Sequence, residues 1–308
     1  MTKLSKLKKL TRIDVLIVVF MCLLILPVLL PALYKARITS SRIKCGKNLV
    51  DIGRAMRIYA DDYDGEFPRA GGSDSIWSGR IVQWMAKNRY IAYGLQEDGS
   101  KGAAAITSSL YLLLKYAGVS PKSFVCPGDK GTTEFKPSED GVRDSELVYL
   151  WDFGPKAETH CSYSYHMPYG LYALTTSSDP GMAVAADRNP WIASPTAEGK
   201  YLSLLSSYNP NGRRKETNVG NAITHQEDGQ NVLFMDTHVG FEKRSFCGIN
   251  DDNIYTYWNG GDIRRGGLPI PGLSQPEDGL DSFLVHDPPG PKYPAPILMR
   301  HLQEEADN

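Results

Sequence analysis

Three groups of side chains in this sequence are of types that do chemistry. The first is His225, Asp236 and His238, within His225-Gln-Glu-Asp-Gly-Gln-Asn-Val-Leu-Phe-Met-Asp236-Thr-His238-Val-Gly-Phe241. Two imidazoles and a carboxylate are donors suited to zinc or to proton transfer. Apolar runs on both sides of Asp236-Thr237 predict a hairpin that reverses there, and side chains alternate across a strand, so the three donors face different ways. They read as a structural hydrogen-bond network, with no metal ligand set assigned. A tight two-residue turn needs positive φ at both central positions, so Thr237 predicts a different turn or local strain. The second group is cysteine. Cys22 lies inside an apolar run, which leaves Cys45, Cys126, Cys161 and Cys247 as an even four. In an oxidising compartment they permit disulfides in three alternative connectivities, with buried free thiols as the other reading. The third group is Asp61, Asp62, Asp64 and Glu66. A calcium loop with Asp64 as its fifth position would put Ala60 first and Gly71 twelfth, so both terminal ligands are missing and a solvated acidic turn is expected.

No Gly-x-Ser-x-Gly elbow, His-Glu-x-x-His, phosphate loop, dinucleotide glycine pattern or zinc-spaced cysteine pair occurs. The expectation is a protein that is not an enzyme, with no catalytic residues and no cofactor. Net charge is −1, which provides no basic field for nucleic acid, and no nucleic-acid partner is expected.

The elements that must position these groups begin with one long helix. Lys3, Lys6, Lys8 and Lys9 lead into Val15 to Leu33, nineteen positions without a charge, close to the roughly 20 residues that cross hydrocarbon. Pro27 and Pro31 predict a bend, tolerated better in lipid than in water. Small residues at both positions of a signal-peptidase site are hard to find around 30–36, which favours a retained span. Leu49, Ile52, Met56 and Tyr59 then recur at helical steps between Asp51, Arg54 and Arg57, an apolar stripe that packs on a domain. Gly65 and Pro68 end the helix.

Lys9-Leu10-Thr11-Arg12-Ile13-Asp14, with the apolar run and Leu30-Pro31-Ala32-Leu33 behind it, resembles the cleavage and methylation segment of bacterial type IV prepilins and type II secretion pseudopilins of the G type. The stretch from Cys45 through Asn48-Leu49, Ile52-Gly53 and Tyr59-Ala60 to Phe67-Pro68 resembles their continuation. His225 to Val239 resembles a C-terminal motif in which nine residues separate a His from Asp-Gly-His-Val. Here ten intervene and Thr237 replaces Gly. In the family a dedicated peptidase cuts after the Gly that Lys9 replaces, which makes Lys9 and Leu10 the corresponding processing site. Asp14 takes the place of a Glu that pairs with a neighbouring subunit's N-terminal amine during assembly.

The resemblance implies an α+β chain: 1–12 a basic cytoplasmic leader, 13–62 a pilin-like transmembrane and amphipathic helix, and 63–308 a loop-rich antiparallel β domain with a Pro- and Gly-rich extension. The implied location is a bacterial inner membrane, crossed once, with the N-terminus cytoplasmic and the C-terminal domain periplasmic or at the cell surface. The implied partners are the membrane, a prepilin peptidase, and other pilin-like subunits or copies of itself.

Within the β region, Ser123 to Cys126 reads as a strand, Cys161 to Pro168 as another, and Gly181 to Asp187, apolar on both faces, as a central one. Helices are expected over Ile81–Tyr93 and Ser109–Tyr116, and solvated loop around Arg213, Arg214 and Lys215. The tail is expected to be ordered by packing to about His286. The rival functional reading is a tethered glycan-binding module or hydrolase with Trp84, Trp151, Trp191 and Trp258 as stacking platforms.

Overall fold

The computed structural model describes residues 12–72, 74–195 and 207–290. Lys9 and Leu10 lie outside the described residues, as does the chain after Gly290. The chain divides into two units, 1–41 and 42–308.

Helix α1 runs from Arg12 to Asp62 and carries Pro27 and Pro31 within it. In the first unit its large apolar side chains, where described, are bare: Leu16 is 67% exposed, Leu23 64% and Leu30 60%. This helix is long and apolar enough to span a membrane. In the second unit the same helix turns inward. Cys45, Leu49, Ile52 and Met56 are wholly buried, Tyr59 and Ala60 nearly so, and Arg54 and Ile58 lie on the exposed side. The apolar stripe therefore packs as its period predicts. The helix stops where Asp64 and Gly65 take left-handed backbone and Gly65 N–H donates back to Ala60 O at 2.9 Å.

What α1 packs against is a five-stranded antiparallel sheet of β3 (Tyr163–His166), β4 (Ala183–Asp187), β5 (Gln230–Phe234), β6 (Val239–Glu242) and β7 (Leu284–Val285), in the order β6-β5-β4-β3-β7. A separate parallel pair joins β1 (Ile76–Trp77) to β2 (Ala103–Ala104). The doubly apolar strand is the central one, as read. Its faces serve two cores. Val184, Ala185, Leu233 and Val285 join the core containing α1, while Ala183, Ala186, Val232 and Leu284 join a second core with Trp191, Tyr208, Ile254 and Tyr255. The aromatic C-terminal segments thus cover the face that α1 leaves open, which orders the chain through Asp287.

Helix α2 spans only Arg89–Tyr93, a correction to the longer helix expected from Ile81. Asn88 caps it, its side chain accepting from Ile91 N–H at 3.0 Å, and Gly94 closes it with φ +66°. The preceding residues instead reach across the chain: Met85 bridges Leu150, and Gln83 N–H donates to Ala92 O. Helix α3 spans Ile106–Tyr116, starting earlier than expected. Ser123–Cys126 is not a strand. Pro121–Phe124 forms a 3₁₀ turn, and the segment meets β3's approach through two bonds only, Ser162 N–H to Phe124 O and Cys126 N–H to Ser162 Oγ. Pro121, with Ser120 accepting from Lys122 N–H, favours that turn over a ladder. The basic cluster forms a short helix, α4 (Arg214–Asn218), in place of the expected loop.

The β5–β6 hairpin forms as read, pairing Leu233 with Val239. Its loop is three residues long, with Phe234 N–H donating to His238 O, and Thr237 sits in the left-handed region at φ +74°. Loops of this length place Gly at that position. Thr237→Gly should raise stability by about 0.5–1 kcal/mol, the left-handed penalty of a β-branched residue less the entropy cost of Gly. The denaturant midpoint of the detergent-solubilised chain would move up at unchanged slope; a lower midpoint would show that the threonine side chain contributes more than its strain costs.

Candidate functional site

Four separate segments bring ionisable and sulfur-bearing groups to one buried point. Cys45 comes from the inward face of α1, where the stripe begins. Cys126 follows the Pro121–Phe124 turn, Asp187 is the last residue of β4, and His225 ends a 3₁₀ turn over Ile223–His225. Asn231, second in β5, lies beside them. Each of the five is at least nine-tenths buried.

Cys45 and Cys126 form a disulfide across 81 residues of sequence. Closing a loop of that size removes on the order of 4 kcal/mol of entropy from the unfolded chain in the loop-entropy picture. It fastens α1 to the body of the second unit. Two of the four cysteines after the apolar run are thus paired and the others are not: Cys161 is a buried thiol pushed up to about 12 by desolvation, and Cys247 is a half-buried thiol that burial also raises.

Asp187 and His225 add the chemistry. His225 Nε2 lies 3.1 Å from Asp187 Oδ2, 3.8 Å from Cys126 Sγ and 3.2 Å from Asn231 Nδ2. Asp187 Oδ2 also accepts from Asn231 N–H at 2.7 Å and from Asn231 Nδ2 at 3.1 Å. Its other oxygen, Oδ1, is buried with no hydrogen-bond partner. One donor atom from each of Cys45, Cys126, Asp187 and His225 lies within 4.8 Å of every other, so these four residues are of the types and in the positions to hold a metal ion. The surroundings are ordered by further bonds. Gly128 N–H donates to Cys126 Sγ at 3.4 Å, Asn48 Nδ2 to Val125 O at 2.9 Å, and Tyr255 O–H to Asp187 O at 2.8 Å. Gly128 is required by close approach, since a Cβ there would stand 2.8 Å from Thr224 O, and at Gly46 the fit is tight, a Cβ standing 3.2 Å from Asn231 Oδ1.

The hairpin triad named from the sequence is not brought together. His225 is in the buried centre, while Asp236 and His238 are exposed and bond to one another at 2.5 Å. The His238 backbone N–H, and after it that side-chain bond, hold the Asp236 carboxyl below its usual range. Sequence reasoning found His225, Cys45 and Cys126 but missed Asp187 and Asn231. The available signal was a carboxylate closing the apolar run Gly181–Asp187, a costly place for a charge without partners. The tryptophans are engaged separately. Trp191 is buried against Tyr208, Trp151 donates to Ala86 O under the Lys115 ammonium, and Trp258 donates to Gly261 O.

Other buried carboxyls work as scaffolding. Asp287 accepts from Trp77 Nε1, Ile106 N–H and Thr107 N–H at 2.8, 3.1 and 2.7 Å, capping α3 from the far end of the chain. Asp252 accepts from Ser282 N–H at 2.8 Å, and Asp281 from Trp258 and Glu277 N–H at 3.0 and 2.7 Å. Desolvation, then the neighbouring Asp281 charge, raises Asp252 to about 9.

No family model, curated protein or solved structure matches this chain.

A raised Asp252 keeps its proton in the fold while the unfolded chain ionises near the ordinary carboxyl value of about 3.9. The folded state therefore binds the extra proton between that value and about 9, and stability falls as pH rises through this window. Asp252→Asn, which keeps an acceptor for Ser282 N–H, should stabilise the chain at pH 8 by on the order of 2 kcal/mol and by less at pH 5. Denaturation at the two pH values checks this; an equal effect at both would show that Asp252 does not titrate in that window.

Proposed function

We propose that this chain is a non-catalytic, membrane-anchored subunit of the pilin or pseudopilin kind, an assembly or structural component of a type II secretion or type IV pilus-like system. The observation that carries the proposal is the change of character along one helix. Among the described side chains from Ile13 to Leu33 the large apolar ones of α1 are exposed, and from Cys45 to Ala60 its apolar stripe is buried in the second unit. Lipid, or the equivalent helices of other subunits, supplies the missing cover. Each such side chain contributes roughly 1.5–3 kcal/mol when removed from water.

The resemblance around Asp14 supports the assembly role. Asp14 is an exposed anion near the start of the apolar run. By that resemblance, the N-terminal amine of a neighbouring subunit would pair with Asp14 in assembly, and such a pair is stronger in a low-dielectric setting than in water. The β domain would then be displayed on the periplasmic or outer side, with the basic leader in the cytoplasm and a prepilin peptidase acting between Lys9 and Leu10. The packing of Trp151 and Trp191 favours display over the glycan-platform reading, because rings spent on packing offer no free stacking face.

The N-terminal mass of the protein recovered from its own host's membranes tests the proposal. A chain beginning at Leu10 is expected; a chain beginning at Met1 that also fails to cross-link to itself or to other subunits would overturn it. Asp14→Asn should leave the protein resistant to carbonate extraction while reducing cross-linked multimers several-fold. Multimers at the parental level would remove Asp14 from the assembly contact.

A further inference from the structure

We infer that Cys45, Cys126, Asp187 and His225 form a closed, four-ligand zinc site when the cysteine pair is in its dithiol form, so that the disulfide and a Zn²⁺ centre are alternative states of one buried staple. This inference does not depend on the proposed assembly role.

A disulfide needs two sulfurs and room to pack. It has no use for a carboxylate and an imidazole drawn into contact with it in the interior, where each carries a desolvation cost. Here both are present and wholly buried, and their donor atoms converge with the sulfurs to within 4.8 Å. Tetrahedral zinc with ligands at about 2.0–2.3 Å requires ligand-to-ligand edges of about 3.3–3.8 Å. Two edges already stand near those lengths, Nε2 to Oδ2 at 3.1 Å and Nε2 to Cys126 Sγ at 3.8 Å. The remaining adjustment is separation of the sulfurs by rotation about the cysteine side chains once the bond between them is gone.

The hydrogen bonding around His225 points the same way. Asn231 Nδ2 donates to Asp187 Oδ2 and lies 3.2 Å from His225 Nε2, which itself lies 3.1 Å from that same oxygen. One nitrogen cannot accept from the amide and donate to the carboxylate at once. With the Nε2 proton absent, Nε2 has a lone pair to offer a cation once the Asn231 amide yields it, and the carboxylate and two sulfurs lie within 4.8 Å of it and of one another. Asp187 Oδ1 is left without a partner inside the protein. The second layer of a metal site is also in place. Asn231 orients the carboxylate through its backbone and side chain, and Gly128 N–H points at Cys126 Sγ, where it would stabilise a thiolate.

The chemistry balances as two separate steps. A dithiol reductant delivers two electrons and two protons to the Cys45–Cys126 bond by thiol–disulfide exchange, leaving two thiols and the oxidised reductant. Zn²⁺ then replaces the two thiol protons, which leave to solvent, and takes the Asp187 carboxylate and the neutral imidazole as its other ligands. A disulfide oxidant reverses the first step after the metal departs. Full burial leaves no position for water or substrate, so the site is structural, holding α1, the Cys126 turn, β4 and the His225 turn together.

The test uses the full-length chain in detergent, reduced with a phosphine, given Zn²⁺ or Co²⁺ and cleared of loose metal by gel filtration. One Zn²⁺ per chain is expected, with Co²⁺ producing thiolate-to-metal charge-transfer bands and intense tetrahedral absorption. Asp187→Asn and His225→Gln should each weaken zinc affinity at least tenfold against a chromophoric competitor, with circular dichroism confirming the fold, and Cys161→Ser should leave it unchanged. A disulfide that resists reduction in the folded protein, a reduced protein that retains no zinc, or parental affinity in both ligand variants would each overturn the inference.

Discussion

The buried stripe of α1 from Cys45 to Ala60 is the contact on which the second unit depends. Leu49, Ile52 and Met56 are wholly enclosed, and at Gly53 the helix comes so close to β5 that a Cβ would stand 2.8 Å from Leu233 Cδ1. Sheet residues on that face, Tyr163, Leu233 and Val285, have this stripe in their core. Polar bonds tighten the same seam. Asn48 donates to Tyr163 Oη, Tyr163 O–H donates to Cys45 O, and Arg57 donates to Met235 O. Without the helix the sheet would present an open apolar face, which a domain of this size cannot leave to water.

A sheet buried on both faces needs a second cover, and here it is irregular chain. Trp191, Tyr208, Ile254 and Tyr255 pack on the far side in place of another helix layer. Loops can serve there only if their backbone polar groups find partners, and buried side chains supply many of them. Asn189 donates to Tyr255 O and Leu284 O, Asn253 to Arg264 O, and the Asp252 and Asp281 carboxyl groups accept backbone N–H groups. The buried ion pair of Arg188 with Asp129 adds a further tie. Such groups exchange desolvation cost for a defined loop path, which accounts for the packed course of the chain from Gly248 through Asp287 despite its Gly and Pro content.

The disulfide centre stands where these requirements cross. Cys45 is the first residue of the buried stripe, Asp187 ends the central strand, and Asn231 lies on the strand beside it. A bond or a metal at this point fixes the helix against the sheet at the end nearest the exposed apolar stretch. That placement suits a helix which, on the proposed reading, is loaded along its length by neighbouring subunits.

Residues close in sequence made much of this legible. The nineteen uncharged positions of the apolar run, the three- and four-residue steps of Leu49, Ile52, Met56 and Tyr59, the doubly apolar run ending at Asp187 and the reversal near Thr237 each reflect a local period, and each element formed. Local pattern misled where capping or distant pairing governed: Asn88 and Gly94 confine α2, Pro121 turns the Cys126 approach into a 3₁₀ turn, and Asp287 starts α3 from across the chain. The same holds for the site. Cys45, Cys126 and His225 were visible as chemistry, but which cysteines pair, and that Asp187 and Asn231 join them while Asp236 and His238 do not, depends on contacts between segments tens of residues apart. Periodicity along a strand or helix determines which face a side chain takes; only packing of the faces determines what it meets.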